Sequence, residues 1–337
     1  MVTIKMISQK CGYSAATVSK ALNGAPDISA ETSELIRSVA AEMGYTPNAA
    51  ARALKTTRTH NFGVLFEDDT NSGLTHEFFS HILNSFKHRA EELGYDISFI
   101  SDRLGGRDVS YLEHARYRNY DGVVIASVDY TQQAVHDLVY GGIPVVTIDY
   151  EFNGCGSVLS DNVQGVRDLV TYIYEMGHRK IAFIHGEDTA VSRQRIASFY
   201  RTCMDLGIDV PDEYVICGHF HDPNCSGVAT RQLMESKNRP TCILYPDDIS
   251  YIGGMNELER MGLSVPDDIS VAGYDGILLS QIIRPRLTTL QQDAELLGSS
   301  AADELARAVE EGKVYIPQRI TVPGKLLRGE TVGRINP

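Results

Sequence analysis

No stretch of the 337-residue sequence approaches the roughly 18 consecutive apolar residues needed to cross a bilayer. Its start, Met1-Val2-Thr3-Ile4-Lys5, has neither the apolar core nor the small-residue cleavage site of a secretory signal. These absences predict a soluble, cytoplasmic chain with no membrane partner. The six cysteines (Cys11, Cys155, Cys203, Cys217, Cys225, Cys242) fall at irregular spacings without a C-x-x-C pair, so reduced, mostly buried thiols are expected rather than a metal site or a disulfide framework. No G-x-S-x-G, P-loop or G-x-G-x-x-G occurs, and Gly105-Gly106 and Gly141-Gly142 read as single turns that cradle nothing. Asp247-Asp248 and Asp267-Asp268 are the nearest approach to paired catalytic carboxylates, but each sits where a turn is expected and neither accompanies a nucleophile. No histidines are spaced i, i+4, and His185, His219 and His221 read as structural or solvent-facing. The expectation is a protein without catalysis, cofactor or metal.

What is present is apolar enough, at 43% hydrophobic and 22% charged, to bury large cores, and the length suits two or three domains. The net charge of −13 argues against coating DNA or an anionic membrane through bulk charge. That average hides an asymmetry. Residues 1–60 carry seven basic and four acidic groups, a balance of +3, which leaves −16 for the remainder. A small basic head on a large acidic body is what a nucleic-acid reader with a separate sensing module would show.

In the head, Thr3 can cap a helix from Ile4 to about Lys10, Gly12 supplies a permissive turn, and Ser14 caps a second helix from Ala15 to Leu22. Ser29 can cap a third, with Glu31 in its first turn and an apolar stripe of Leu35, Ile36, Val39, Ala40 and Met43 ending at Gly44. The spacing fits a helix-turn-helix or any other three-helix bundle. Thr46 to Leu54 has a cap, Pro47 at the first helical position and strong helix formers, yet it is shorter than the roughly 12 residues at which isolated helices become marginal. Such a segment is suited to folding on a partner, with Leu54 as an apolar wedge, or to serving as an alanine-rich linker.

From Asn61 onward short apolar runs alternate with amphipathic stretches, which predicts parallel strands joined by crossover helices. The expected strands are Phe62 to Glu67, Asp96 to Ser101, Asp121 to Ser127, Ile143 to Asp149, Lys180 to His185, Thr241 to Pro246 and Ile269 to Asp275. The expected helices are Thr75 to Leu93, Asp108 to Tyr117, Thr131 to Tyr140, Val163 to Met176, Ser192 to Leu206, Ser226 to Glu235, Ile249 to Met261 and Asp293 to Glu310. A break near Asp161-Asn162 divides them into two similar lobes, and the cleft beyond the carboxyl ends of the strands is the expected ligand site. Asp149, Asp247, Asp248 and Asp275 collect at those ends, with Arg193 and Arg195 opening a helix beside them; each Asp reads equally as a helix cap.

Thr3-Ile4-Lys5, Gly12-Tyr13-Ser14, Thr17-Val18-Ser19-Lys20, Leu22-Asn23-Gly24, Gly44-Tyr45, Pro47-Asn48, Ala51-Arg52 and Leu54, in this order and spacing, resemble the lactose/galactose repressor family of bacterial transcription regulators, and the likeness runs to near the C-terminus. It implies an N-terminal all-α helix-turn-helix head plus an α/β periplasmic-binding-protein-like body of two parallel-sheet lobes. The implied division is a DNA-binding domain at 1–45, a hinge helix and linker at 46–60, and an effector-binding and dimerisation domain at 61–337. Lobe 1 would take about 61–161 and 291–320, and lobe 2 about 162–290 and 321–337.

The resemblance places Ala15, Ala16 and Lys20 at base-reading positions, Ser14, Thr17, Ser19 and Asn23 at phosphates, and Asn48, Ala51 and Leu54 in the minor groove. This is a thin direct readout: alanines offer contact with thymine methyls, and Lys20 is a point charge where arginine would grip guanine bidentately. Much of the specificity is then expected from the DNA kink. Around the effector it places Phe79, Asp149, Arg195, Phe220, Asp247, Asp275 and Gln292; by its own position Phe79 reads also as core beside Phe78, for which a core role is expected. Arginine and carboxylates about an aromatic face suit a sugar. Three positions depart from the pattern: Met6 stands for an acid that would complete a capping box, Lys10 for an apolar residue, and Asp247 for asparagine.

The implied function is a homodimeric repressor on a near-palindromic operator, released by a small sugar or sugar derivative that closes the lobes. Rival readings are a solute-binding protein without specific DNA binding, since the body resembles periplasmic sugar-binding proteins, and a corepressor-dependent regulator or an activator of the same architecture. The head of 60 residues and the missing signal count against the first. Ile320 to Pro337 shows no leucine heptads, so a dimer is expected rather than a helical-bundle tetramer.

Overall fold

The computed structural model describes residues 2–46, 58–67 and 73–335, and the chain divides into two compact units, residues 1–59 and 60–337. In the first unit, helices α1 (Ile4–Cys11), α2 (Ala15–Leu22) and α3 (Ala30–Glu42) close on Ile7, Val18, Ala21, Ile36 and Ala40. The three expected caps form: the Thr3, Ser14 and Ser29 hydroxyls accept the backbone N–H of Met6, Thr17 and Thr32 at 3.3, 3.1 and 3.2 Å. Gly12 and Gly44 turn the chain at φ 77° and 67°, where a side chain would be strained. Two sequence features resolve differently from expectation. Leu35 lies one position off the i, i+4 row of Ile36 and Ala40 and is exposed. Lys10, at its usually apolar position, pairs with Glu42 at 2.8 Å and ties α1 to the end of α3. The hinge positions Asn48, Ala51 and Leu54 lie outside the described residues.

The second unit holds two six-stranded sheets. The first runs β13 (Arg319–Val322), β7 (Gly156–Ser160), β6 (Val145–Ile148), β5 (Gly122–Ser127), β1 (Asn61–Phe66), β2 (Asp96–Phe99), all parallel. The second runs β14 (Lys325–Leu327), β12 (Thr288–Gln291), β11 (Ser270–Asp275), β10 (Cys242–Leu244), β8 (Ile181–His185), β9 (Val215–Cys217), with only β14 antiparallel. Parallel sheets must be covered on both faces. Helices α4 (Glu77–Glu92) and α12 (Ala294–Glu311) cover one face of the first sheet, and α5 (Tyr111–Arg118) and α6 (Gln133–Val139) the other. In the second sheet α7 (Asn162–Glu175) and α8 (Ala190–Asp205) lie opposite α9 (Pro223–Glu235) and α10 (Asp248–Arg260). A one-turn helix, α11 (Leu278–Ile282), follows β11.

All seven expected strands and all eight expected body helices are present with shifted ends. The expected start of a helix at Asp108 is overturned: Arg103–Leu104 and Arg107–Asp108 form β3 and β4 of a hairpin turned by Gly105-Gly106, and α5 begins only after Ser110, which makes a capping box with Glu113. Besides β3 and β4, five strands had no counterpart in the sequence reading: β7, β9, β12, β13 and β14. The chain passes between the lobes at Ser160 to Asn162, Gln291 to Ala294 and Val322 to Lys325, so the last passage falls after β13 rather than at 320/321. The six thiols are free, but only Cys203 and Cys242 are buried and Cys217 is exposed, fewer buried than expected. Among the described residues no helix is long and apolar enough to cross a membrane.

Candidate effector cleft and DNA-reading helix

Helix α2 and its caps present Ser14, Ala15, Ala16, Lys20 and Asn23 on the exposed surface, with Thr17 and Ser19 half-buried. Ser14 and Thr17 hydroxyls bond each other at 2.8 Å, and the Asn23 amide donates to the Ser19 carbonyl at 2.6 Å. Lys20 is not free: its ammonium pairs with Asp27, and this pairing holds the Asp27 carboxyl below its ordinary range. Contact with a base requires exchange of that partner.

In the body, a cavity of about 230 Å3 lies between the lobes where the strands of both sheets end. Asp149 follows β6 in a left-handed conformation, φ 55°, and its carboxylate accepts the Ser160 N–H at 2.6 Å and the Ser160 hydroxyl at 3.2 Å. Burial pushes its carboxyl upward, opposed by the Ser160 N–H, the Arg195 charge and the Ser160 hydroxyl. Arg195 on α8 is 5% exposed; Nε donates to Asn162 Oδ1 at 2.8 Å, Nη1 to the Pro246 carbonyl at 3.0 Å, and the guanidinium lies 3.5 Å from the Tyr274 ring centre. Asp275 ends β11 and its Oδ1 accepts Gln292 Nε2 at 2.7 Å. Burial raises its carboxyl to about 6 against the lowering pull of Arg195.

Six of the seven expected effector residues therefore line one cavity: Phe79, Asp149, Arg195, Phe220, Asp275 and Gln292. Phe220 reaches it because Gly186 has no side chain; a Cβ there would stand 2.2 Å from the ring. Phe78 is core as expected but also reaches the wall. Asp247 is the exception. It is not in the wall: Oδ1 caps α10, accepting the Ser250 N–H at 2.7 Å, and Oδ2 accepts the Ser250 hydroxyl at 2.8 Å and the His221 N–H at 2.9 Å.

The sequence reading missed other wall residues. Tyr130 and Tyr150 stack at 4.3 Å and 6°, a flat aromatic face whose Tyr130 hydroxyl donates to the Ile148 carbonyl at 2.8 Å. Glu187 clamps the segment before His221, accepting the Phe220 N–H at 3.2 Å and lying 3.1 Å from His219 Nδ1. His221, expected to be structural or solvent-facing, lines the cavity, stacked at 3.6 Å on His76 of the other lobe. Beside this contact the Leu278 N–H donates to Glu77 Oε1 at 2.7 Å, so His76 and Glu77 both join the lobes. A wider groove of about 810 Å3 lies beyond Gln292, lined by Glu77, His81, Gln281 and Lys325, without Arg195 or the tyrosine face.

A helix-turn-helix unit and a two-lobed body with a polar interlobe cavity together define a DNA-binding regulator with a small-molecule sensing module. Residues 3–48 match the lacI family of bacterial regulatory proteins, and residues 170–332 match a periplasmic binding protein-like domain. A probable HTH-type transcriptional repressor ExuR of Bacillus subtilis is 31% identical over 315 residues, covering 92% of each chain. Catabolite control protein A of Priestia megaterium is 29% identical over 332 residues, covering 95% of this chain and 97% of its own. A lac repressor dimer, solved bound to operator and the anti-inducer ONPF, superposes with a TM-score of 0.80 at 25% identity over 98% of this chain and 99% of its own. The chain belongs to the lacI family of bacterial transcription regulators.

Proposed function

We propose that this chain is a homodimeric repressor that binds a near-palindromic operator in the cytoplasm and leaves it when a small sugar or sugar derivative fills the interlobe cleft. The observation that carries the effector half is the convergence of Asp149, Arg195, Asp275 and Gln292 on a cavity walled by Tyr130, Tyr150, Phe79 and Phe220. Fixed acceptors and a planar cation suit hydroxyls, and the flat rings suit the apolar face of a sugar. At about 230 Å3 the cavity is below the ~300–1,000 Å3 of pockets for drug-sized ligands, as a small polar ring would need. These groups bind and orient; no nucleophile with an adjacent base stands among them, and the role is binding rather than catalysis.

Base reading by Ala15, Ala16 and Lys20, phosphate contact by Ser14, Thr17, Ser19 and Asn23, and minor-groove insertion of the segment holding Asn48, Ala51 and Leu54 form the DNA half of the proposal. One head with so few base contacts cannot be selective, so two heads must act together. Effector binding draws the lobes together and disfavours the DNA-bound arrangement, by no more than its differential affinity for the two states. Site selection from a random duplex library at two salt concentrations tests the reading. A palindrome with one element per head is the expected result, and salt-sensitive binding with no enriched sequence contradicts it.

A further inference from the structure

We propose that His221 reads the effector through its Nε2, that His76 from the opposite lobe positions it, and that Asp247 stands in place of asparagine in order to hold His221 there. The inference rests on the reading of the cleft as the effector site and names one determinant of its specificity.

Three observations converge on His221. Among the described residues its Nε2 is buried without a hydrogen-bond partner, although the residue lines the cavity. Gln292, 7% exposed, leaves its Oε1 in the same condition, because its Nε2 is spent on Asp275. Unpaired buried polar atoms are costly, and these two belong to residues of one cavity wall, where a ligand can supply the missing partners. The backbone of His221 is left-handed, φ 54°, a conformation a non-glycine residue holds only when its surroundings impose it.

Those surroundings are two carboxylates and a ring. Glu187 takes the Phe220 N–H and Asp247 the His221 N–H, fixing the backbone that presents both rings. Asp247 is approached by three donors, the Ser250 N–H, the Ser250 hydroxyl and the His221 N–H, spread over two oxygens. Asparagine has a single acceptor oxygen and would turn an NH2 toward one of these donors. The acid at 247 thus fixes the backbone that presents the imidazole of 221. On the other side the His76 ring lies 3.6 Å from His221 at 28° and is itself braced edge-on by Phe79 at 4.9 Å. Because the two histidines come from different lobes, the stack exists only when the lobes are together. The ligand is a hydroxyl-rich molecule that gives a hydrogen to Gln292 Oε1 and pairs with His221 Nε2, and its recognition is coupled to closure.

The test uses the full-length protein and calorimetry with neutral hexoses, pentoses and hexuronic acids as probes, with circular dichroism and operator binding as folding controls. For the sugar that binds and requires Arg195, His221→Phe keeps a stacking ring but removes the nitrogen, and affinity falls at least tenfold. His76→Ala weakens binding, whereas His76→Phe restores the stack and most of the affinity. Asp247→Asn falls between. Tolerance of phenylalanine at both histidine positions reduces the pair to packing and overturns the proposal. Loss with phenylalanine at neither position but undiminished binding by Arg195→Ala overturns the reading of the cleft as well, as does a panel in which no sugar binds.

Discussion

Ser160 donates both its backbone N–H and its hydroxyl to Asp149, so a carboxylate of the interlobe cavity is fastened to the last strand residue before the chain crosses to the second lobe. Any force a ligand exerts on Asp149 is delivered directly to a crossover. Ser160→Ala removes one of the two bonds, lets burial raise the Asp149 carboxyl further, and is expected to weaken effector binding by about 1–2 kcal/mol, some five- to thirtyfold. Calorimetry on wild type and variant checks this.

Arg195→Ala is expected to abolish the effector response and leave operator affinity intact. The guanidinium is buried over Tyr274 and lowers both Asp149 and Asp275, so its removal strands two buried carboxyls. The stability cost is about 3 kcal/mol by denaturant unfolding. Arg195→Lys recovers little, since an ammonium cannot stack flat and reach Asn162 and the Pro246 carbonyl together. A full effector response in Arg195→Ala removes this residue from the site.

Asp275 makes stability depend on pH in an unusual direction for an acid. Its folded value of about 6 stands above its ordinary 3.8, so between these values the folded chain holds a proton the unfolded chain has lost. Its contribution therefore worsens as pH rises through that window, reaching a penalty on the order of 3 kcal/mol at neutral pH. Asp275→Asn is expected to raise unfolding stability at pH 7.5 by about 1–3 kcal/mol, with the gain vanishing near pH 4, while weakening effector binding. A gain that is the same at both pH values contradicts this origin.

Much of this arrangement is legible in the sequence, for reasons that differ by residue. The head is local: caps at Thr3, Ser14 and Ser29 and turns at Gly12 and Gly44 act within a few residues, so pattern suffices. Asp149 and Asp275 lie at strand ends and Arg195 in the helix that follows one, where an open α/β sheet places ligands. Asp247 lies at a strand end too, but a cap and a ligand contact share that local pattern, and only the positions of Ser250 and His221 separate them. His76 and His221 are 145 positions apart in the sequence and meet only across the cleft. Strands such as Gly156–Ser160 and Thr288–Gln291 are short and rich in Gly, Ser and Thr, and carry too little apolar signal to stand out.

Asp27 holds the ammonium of Lys20, the residue proposed to read a base. Asp27→Ala frees the ammonium and removes a negative charge beside the recognition helix, so operator affinity is expected to rise two- to fivefold, most at low salt. Electrophoretic mobility or anisotropy titrations at two salt concentrations check it, and unchanged affinity shows that Lys20 does not reach the DNA.

Leu54→Ala is expected to weaken specific binding far more than non-specific binding, because a wedge acts only on the kinked operator. Equal losses on both DNAs count against a wedge.

The central claim is that filling the cleft changes affinity for DNA. Anisotropy of the selected palindrome, titrated with full-length protein in the presence and absence of the sugar that calorimetry identifies, measures that coupling directly. The account predicts at least a tenfold loss of operator affinity with wild type and none with Arg195→Ala. A sugar that occupies the cleft yet leaves the operator Kd unchanged would contradict it.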